Sequence, residues 1–356
     1  MSDTTQFHPL RVAALRAEAD DALAVSFAVP DLLRRAFDFH AGQHLILRAV
    51  IDGSEQRRSY SICSAPGPEG ELRVGIRRVG VFSRWLHGNL KPGDTIDVMP
   101  PQGRFAFVPE ASARRHLLGI AGGSGITPIL AIARTLLERE PASRFTLIYG
   151  NRGTASTMFK EDLEDLKNRH LARFALHAVF SREPVDSPLH SGRIDGVKLA
   201  DFFSSLIAAD GLDAAYICGP HGLNDAAEAA LRGAGLARER IHIERFGVPG
   251  DAPAPQIIEG DAAQAHITVQ RDGFTRVLPF ASADGSLLNA ARRAGLDLPF
   301  SCTSGVCGTC RARLLSGQVR MDRNYALEPA DLAAGFVLTC QAHPLTPEVT
   351  VSFDDR

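Results

Sequence analysis

The sequence predicts three domains: a closed antiparallel β-barrel, a doubly wound α/β domain with a parallel sheet, and a small C-terminal β domain. Short alternating apolar runs fill the first part of the chain, strands and helices alternate in the middle, and three closely spaced cysteines lie near the end. A length of 356 residues agrees with two or three domains. We place these domains at residues 1–110, 111–247 and 263–356, with a linker at 248–262.

The composition excludes several classes of protein. The chain is 45% hydrophobic and 22% charged, with a net charge of -2. These values suit packed cores and give no reason to expect nucleic acid or an anionic membrane as a partner. Met1–Arg11 lacks the apolar segment of a signal peptide, and no apolar run approaches the roughly 20 residues of a membrane span. We therefore expect a cytoplasmic protein.

The first domain is predicted to contain six strands and one inserted helix. Turn signals at Asp52-Gly53, Pro66-Gly67-Pro68 and Pro92-Gly93-Asp94 separate the strands. Short strands at this spacing are typical of a closed antiparallel barrel. The helix is predicted at Ser83–Leu90. The predicted strands are Leu10–Leu15, Ala22–Val29, His44–Val50, Arg57–Ile62, Glu71–Arg77 and Thr95–Met99.

Two segments of this domain suit a flavin that carries a diphosphate. In Arg58-Ser59-Tyr60-Ser61, Arg58 and Tyr60 share one strand face, where a guanidinium suits a diphosphate and an aromatic plane suits an isoalloxazine ring. In Gly80-Val81-Phe82-Ser83, Ser83 is a predicted N-cap of a helix whose free N–H groups attract phosphate. The two segments favour FAD, with FMN as the alternative. In a purely structural interpretation, Tyr60 is a barrel residue and Ser83 only a cap.

The second domain alternates strands and helices, which predicts a parallel sheet with right-handed crossovers. A ligand is then expected at the carboxyl ends of the strands. The predicted strands are His116–Ala121, Phe145–Gly150, Phe174–Phe180, Ala214–Cys218 and Arg240–Phe246, and the predicted helices are Thr127–Glu138, Ser156–Asn168, Gly196–Ala208 and Leu223–Ala234.

The first of these strands ends in a glycine-rich loop, Gly122-Gly123-Ser124-Gly125-Ile126-Thr127-Pro128. Glycines let the backbone approach a diphosphate closely, while Thr127 is a predicted cap and Pro128 suits the first helical position. The loop therefore predicts a dinucleotide site. It is not the G-x-G-x-x-G fingerprint, and no acidic residue ends the second strand.

Arginines follow the next two strands, in Asn151-Arg152 and Ser181-Arg182. A cationic group in place of the ribose-binding acid favours NADP over NAD. The alternative is that both are ordinary surface arginines. The fourth strand ends in Cys218-Gly219-Pro220, where a small thiol can face a nicotinamide or serve as a buried structural residue.

The third domain carries Cys302, Cys307 and Cys310 at C-x4-C-x2-C spacing, with Cys340 further on. This is the plant-type ligand pattern of a [2Fe–2S] cluster. Structural zinc sites favour paired C-x2-C units, and only one such pair is present. Nothing in the chain indicates the oxidising compartment that disulfides require. We therefore predict these four cysteines as cluster ligands.

A proline- and glycine-containing stretch, Gly247–Gln264, is predicted to be the tether to this domain. Strands are predicted at His266–Arg271 and Thr275–Phe280, with helices at Ser286–Ala294 and Ala330–Ala334.

These motifs together resemble the ferredoxin–NADP reductase superfamily, in the branch with a C-terminal plant-type ferredoxin domain. The resemblance covers nearly the whole chain and implies a Greek-key barrel and a β-grasp cluster domain. It implies that Ser181-Arg182-Glu183 holds the 2′-phosphate of NADP. Ser61, Cys218 and Glu244 are the implied catalytic residues, and Phe246 lies near the flavin. Ala41-Gly42-Gln43-His44 departs from the superfamily pattern, which often has a proline before the glycine.

More narrowly, several stretches resemble the family of phenylacetyl-CoA epoxidase reductase subunits. They are Arg57–Ser64, Phe145–Arg152, Arg193–Gly196, Ile241–Phe246 and Asn324–Leu345. The resemblance implies electron transfer from NADPH through FAD and the cluster to the subunits of a di-iron monooxygenase in phenylacetate catabolism. The alternatives are a reductase of another oxygenase, such as a steroid or aromatic-ring hydroxylase, and a non-catalytic electron carrier or redox sensor.

Overall fold

A computed structural model describes residues 5–67, 70–248 and 258–355 of the chain. The backbone divides into two compact units, Met1–Phe246 and Gly247–Arg356. The first unit contains a barrel and a parallel sheet, and the second contains a separate mixed sheet. Pro68 of one predicted turn and residues 249–257 of the predicted linker lie outside the described residues.

The barrel is a six-stranded antiparallel sheet in the order β4-β3-β6-β1-β2-β5. β6 lies between β1 and β3, which makes the connectivity a Greek key. A bridge between Ile62 and Val74 joins the two edges of the sheet and closes it. The strands are β1 (His8–Ala19), β2 (Ala22–Ala28), β3 (His44–Ile51), β4 (Ser54–Ser61), β5 (Leu72–Arg77) and β6 (Thr95–Gln102).

The helix of the barrel, α1 (Val81–Asn89), begins earlier than predicted. Ser83 is therefore inside the helix and is not its N-cap. The Ser83 hydroxyl accepts hydrogen bonds from the backbone N–H groups of Val79, at 3.0 Å, and Gly80, at 2.9 Å. These hydrogen bonds hold residues 79 and 80 against the first turn of the helix. The helix can therefore begin at Val81, two residues before Ser83.

The second part of this unit is a five-stranded parallel sheet in the order β11-β10-β7-β8-β9. The strands are β7 (His116–Gly122), β8 (Arg144–Asn151), β9 (Phe174–Phe180), β10 (Ala214–Cys218) and β11 (Ile241–Glu244). The helices are α2 (Ile126–Arg139), α3 (Lys160–Arg169), α4 (Gly196–Ser205) and α5 (His221–Gly233).

The barrel and the parallel sheet share one hydrophobic core, in which Cys63 and Phe107 of the barrel join Leu130 of α2. Asp162 of α3 adds a polar connection, because it pairs with Arg16 and Arg73 of the barrel and with Arg134 of α2. Gly75 of β5 leaves room for the parallel-sheet domain, since a Cβ at this position would lie 2.5 Å from the Thr127 methyl.

The second unit is a five-stranded mixed sheet in the order β13-β12-β18-β14-β16, with a separate β15-β17 pair. This order, with helix α6 packed on β13, is that of a β-grasp. Ser286 caps α6 by accepting the Asn289 N–H. The elements are β12 (Gln264–Arg271), β13 (Phe274–Ala281), α6 (Leu287–Arg293), β14 (Arg311–Ser316), β15 (Val319–Met321), α7 (Pro329–Ala333), β16 (Phe336–Leu338), β17 (Ala342–Pro344) and β18 (Glu348–Ser352).

The predicted fold class, an antiparallel barrel followed by a parallel α/β sheet and a C-terminal β domain, is confirmed. None of the helices in the described ranges has the length and apolar character that a membrane crossing requires.

Candidate functional site

The glycine-rich loop packs directly on the end of β10. A Cβ on Gly125 would lie 2.0 Å from the carbonyl oxygen of Cys218, and one on Gly122 would lie 2.7 Å from the ring of Pro220. Only glycine fits between these backbones. The loop and the Cys218-Gly219-Pro220 segment are therefore brought together at the carboxyl ends of parallel strands, where such sheets bind ligands.

The cap assignments in this loop are wrong. Gly123–Gly125 form a 3-10 turn that leads into α2 at Ile126. Thr127 is buried and its hydroxyl donates to the carbonyl of Ser124 at 2.9 Å, and Pro128 is the third helical residue. The glycine turn starts the helix before the residues that would otherwise cap it.

The ends of β8 and β9 meet beside this loop. The N–H of Ser181 donates to the Asn151 carbonyl at 2.9 Å, and the N–H of Arg182 donates to the Arg152 carbonyl at 2.8 Å. Both amide atoms of Asn151 are buried without a hydrogen-bond partner among the described residues. Buried polar groups are rarely left so, and an orphaned amide at the ligand-binding edge of a sheet fits a bound nucleotide.

The two arginines at this edge differ in their surroundings. Arg152 pairs with Asp21 of the barrel at 3.2 Å, and Asp21 also binds Arg77. Arg182 is exposed, and its guanidinium has no ion pair among the residues described. Glu183 instead binds Thr154 through the backbone N–H and the hydroxyl, and the Thr154 hydroxyl lowers the pKa of this carboxyl. Arg182 is thus the guanidinium available to an anionic ligand.

The barrel segments singled out in the sequence also lie together. Tyr60 of β4 packs against Phe82 of α1, with ring centroids 6.2 Å apart, and burial raises the pKa of the Tyr60 hydroxyl. Arg58 is exposed on the strand face that Tyr60 shares. Val81 and Phe82 lie in the first turn of α1, whose N–H groups have no partner within the helix. A guanidinium, an aromatic ring and a helix start together suit a flavin diphosphate.

Ser61, Cys218 and Glu244 converge between the barrel and the sheet. The Ser61 hydroxyl donates to Glu244 Oε2 at 3.2 Å. Cys218 lies opposite Glu244 in the β10–β11 register, and burial raises the pKa of its thiol. The three predicted catalytic residues are therefore neighbours, although they come from different strands.

Sequence reasoning missed His44 as a member of this group. Its Nδ1 lies 3.8 Å from Glu244 Oε1, and its ring is buried against Gly103. The sequence signal was present but ambiguous, because His44 begins an apolar strand where a histidine is commonly a packing residue. Phe246, the other residue implied by the resemblance, is exposed just after β11.

The four predicted ligand cysteines form two pairs. Hydrogen bonding from the Cys307 thiol, helped by the N–H groups of Ser304 and Cys307, lowers the pKa of Cys302. The two N–H groups lie 3.4 Å from the Cys302 sulfur. Cys310 and Cys340 form the second pair. The N–H of Thr339, which precedes Cys340, donates to the Cys310 carbonyl at 3.2 Å, and hydrogen bonding with the Cys340 thiol raises the pKa of Cys310.

This donor set fits a two-iron centre, because all four side chains are cysteine thiols. Two irons bridged by sulfide need two thiolates each, which is what two pairs supply. The residues present therefore fit a [2Fe–2S] cluster.

Comparisons with known proteins agree with the site. Family models match an oxidoreductase FAD-binding domain at residues 10–107, an oxidoreductase NAD-binding domain at 120–229 and a 2Fe-2S iron-sulfur cluster binding domain at 269–345. The chain therefore binds FAD, a pyridine nucleotide and a [2Fe–2S] cluster, as the sequence predicts.

Two relatives match over almost their whole length. The chain is 47% identical to a subunit of 1,2-phenylacetyl-CoA epoxidase from Escherichia coli strain K12, over 99% of each chain. It is 33% identical to the ferredoxin reductase component of 3-ketosteroid-9-alpha-monooxygenase from Rhodococcus rhodochrous, over 97% of this chain and 96% of that protein.

The solved structure of phthalate dioxygenase reductase matches 98% of each chain with a TM-score of 0.59 and 24% identity, which shows a shared fold. The matched domains and the full-length relatives agree on one architecture. The chain belongs to the ferredoxin–NADP reductase superfamily, in the branch that carries a C-terminal plant-type [2Fe–2S] domain and supplies oxygenases with electrons.

Proposed function

We propose that this chain is the NADPH-dependent reductase of a di-iron monooxygenase that epoxidises the ring of phenylacetyl-CoA. The observation that carries this proposal is the 47% identity to an epoxidase subunit over 99% of both chains. The aromatic thioester is then a substrate of the partner oxygenase, and this chain provides only electrons.

We assign one cofactor to each of the domains at 1–110, 111–247 and 263–356, namely FAD, the pyridine nucleotide and the cluster. Arg58, Ser59, Tyr60 and the first turn of α1 hold FAD, and Cys302, Cys307, Cys310 and Cys340 hold the cluster. When bound, FAD accepts a hydride and releases electrons singly, and the cluster carries one electron at a time.

The coenzyme is held by the carboxyl edge of the parallel sheet. The Gly122–Pro128 loop cradles the diphosphate, while Cys218, Gly219 and Pro220 face the nicotinamide. The orphaned amide of Asn151 and the free guanidinium of Arg182 support a 2′-phosphate site beside Ser181 and Arg152. A fork of N–H donors suits a phosphate.

Ser61, Cys218 and Glu244 are proposed to act at the point of hydride transfer. Ser61 donates a hydrogen bond to Glu244, which fixes the carboxylate between barrel and sheet. Such a carboxylate can hold a proton or orient the coenzyme, while the buried Cys218 thiol stays neutral and excludes water.

Reconstitution tests the partner. Purified chain should show flavin and [2Fe–2S] absorption, and, mixed with di-iron oxygenase subunits of a phenylacetyl-CoA epoxidase, should couple NADPH oxidation to phenylacetyl-CoA turnover. The second candidate is a reductase of another oxygenase, and the observation behind it is the 33% identity to a steroid monooxygenase reductase. Turnover with a 3-ketosteroid oxygenase and none with phenylacetyl-CoA would establish that candidate.

Arg182→Ala tests the coenzyme. Loss of one charge-assisted contact to the 2′-phosphate should raise KM for NADPH roughly tenfold and leave KM for NADH within about twofold. Arg232→Ala, an exposed arginine in the last turn of α5 on the same domain, is the matched control. If Arg182→Ala raised KM for NADPH and KM for NADH equally, the assignment of Arg182 to the 2′-phosphate would be wrong.

A further inference from the structure

Gln341 directly follows the fourth cluster cysteine, and its side chain contacts two separate segments. The residue is 2% exposed. Its Nε2 donates to the Thr303 carbonyl at 3.0 Å, to the Cys340 carbonyl at 2.9 Å and to the Cys340 sulfur at 3.6 Å. One amide therefore joins the loop that carries Cys302 to the segment that carries Cys340.

The orientation of this amide is fixed by its neighbours. Exchanging its nitrogen and oxygen would set Oε1 against two carbonyl oxygens, which have no hydrogen to donate. In the structure Oε1 is buried and has no hydrogen-bond partner among the described residues. An orphaned acceptor destabilises a fold, and an apolar side chain of the same size would avoid that cost. The N–H donors are thus what distinguishes glutamine at this position.

The carbonyl that Gln341 holds belongs to a strained residue. Thr303 has a φ of +54°, a left-handed conformation that β-branched residues rarely adopt. The chain reverses there and aims the N–H groups of Ser304 and Cys307 at the Cys302 sulfur. Gly305 completes the contact, since a Cβ on it would lie 3.2 Å from Gln341 Cγ.

A second residue next to Cys340 acts on the other end of the loop. Thr339 is buried, and both its N–H, at 3.2 Å, and its hydroxyl, at 2.9 Å, donate to the Cys310 carbonyl. The two neighbours of Cys340 therefore hold the loop near Cys302 and at Cys310. The fourth cysteine is positioned by its flanking residues.

We propose that Gln341 is a positioning residue of the iron–sulfur centre, which fixes the ligand loop against Cys340 and donates an N–H to the Cys340 sulfur. This inference rests on the ligand assignment given under the proposed function. Hydrogen bonds to ligand sulfurs stabilise the reduced, more negative form of a cluster and so raise its potential.

Gln341→Met in the full-length protein tests the proposal, because methionine matches the size of glutamine and lacks the donors. At a fixed solution potential the ratio of reduced to oxidised cluster should fall roughly two- to tenfold, the range of one lost hydrogen bond. A tenfold fall corresponds to about 59 mV for one electron. We also expect a changed EPR spectrum and faster loss of iron to a chelator. Gln318→Met, an exposed glutamine of the same unit, should change none of these.

The proposal would be overturned if Gln341→Met had the same cluster potential, EPR spectrum and rate of iron loss as the wild-type protein. If Gln341→Met holds no cluster, Gln341→His tests whether the N–H donor is what the cluster requires, because the imidazole restores such a donor. A cluster in the histidine variant supports the donor role, and no cluster in either variant overturns it, because restoring an N–H donor then makes no difference. Wild-type protein without [2Fe–2S] absorption would instead refute the ligand assignment.

Discussion

At the scale of single residues, Gly125 shows how tightly the glycine-rich loop Gly122–Pro128 is packed. A Cβ there would lie 2.0 Å from the Cys218 carbonyl oxygen, closer than any real contact. Gly125→Ala must therefore push the loop off the strand end. We expect a loss of about 2 kcal/mol or more in the free energy of unfolding and at least tenfold weaker coenzyme binding. Urea denaturation and titration with NADPH measure the two effects.

Gly222 of α5 provides the control. A Cβ at this helical position meets no atom within 4 Å. Gly222→Ala should stabilise the protein by up to about 1 kcal/mol, because alanine favours the helix. If Gly125→Ala unfolds at the wild-type urea concentration or above it, the packing argument for Gly125 is wrong.

A functional role can be predicted from sequence where it depends on the spacing of nearby residues. It cannot be predicted where it depends on contacts with residues that are distant in the chain. The cysteine spacing alone predicts the ligands of a two-iron centre, and this assignment stays a prediction. Glu244 carries no local signal, since an acidic residue at a strand end is usually solvated, and only the family resemblance pointed to it. His44 and Gln341 were missed because their roles depend on neighbours far away in sequence.

At the scale of elements, α3 is held to the barrel by Asp162. Burial opposes ionisation of this carboxyl, but Arg134, Arg73 and Arg16 outweigh that effect and lower its pKa below 3.8. Asp162→Asn leaves these arginines without their shared partner. We expect a loss of about 3 kcal/mol in the free energy of unfolding at pH 7, as for a broken buried ion pair.

The stability that Asp162 contributes should decrease as the pH is lowered. Because the folded pKa is lowered, the ion pairs contribute fully above pH 3.8, and the contribution disappears as the pH falls through the folded value. The stability difference between wild type and Asp162→Asn should therefore be constant from pH 7 to about 5 and shrink in more acidic solution. Asp165→Asn, an exposed change on the same helix, should cost less than about 0.5 kcal/mol. A difference that grows in acid would contradict the assignment.

Most elements could be predicted from periodicity, but the ends of most of them could not. β9 and β10 have the predicted bounds, while α1 and α2 begin earlier than their predicted caps. In both helices, a glycine-containing turn upstream of the serine or threonine carries the chain into the first helical turn. A side-chain cap is a weak signal where glycine already allows the turn.

At the scale of the whole molecule, the proposed function predicts a fixed order of electron flow. Cys307→Ala removes a proposed cluster ligand in the second unit, whereas the proposed hydride-transfer residues lie in the first. The variant should still reduce ferricyanide with NADPH, because its flavin is reduced as before, and lose most of its cytochrome c reduction. Stopped-flow absorbance of the flavin and steady-state assays with both acceptors measure this.

Cys63→Ala is the control, since Cys63 is buried in the barrel and is not a ligand in this assignment. It should keep the [2Fe–2S] absorption. Undiminished cytochrome c reduction in the cluster-free Cys307→Ala protein would show that electrons leave directly from the flavin.

The order of the domains along the chain was predictable from the change in hydrophobic pattern. The closure of the barrel at Ile62 and Val74 and the ion pairs of Asp162 were not, because they join segments that share no sequence signal. The shared core of barrel and sheet likewise appears only in three dimensions.

β11 has a practical consequence for building chimaeras. The family model of the coenzyme domain stops at residue 229, yet Glu244, which completes the group with Ser61 and Cys218, lies on the strand that follows. A gene fusion spliced at the edge of that model would discard the glutamate along with an edge strand. The natural junction for grafting another electron-carrying module is therefore downstream of Phe246.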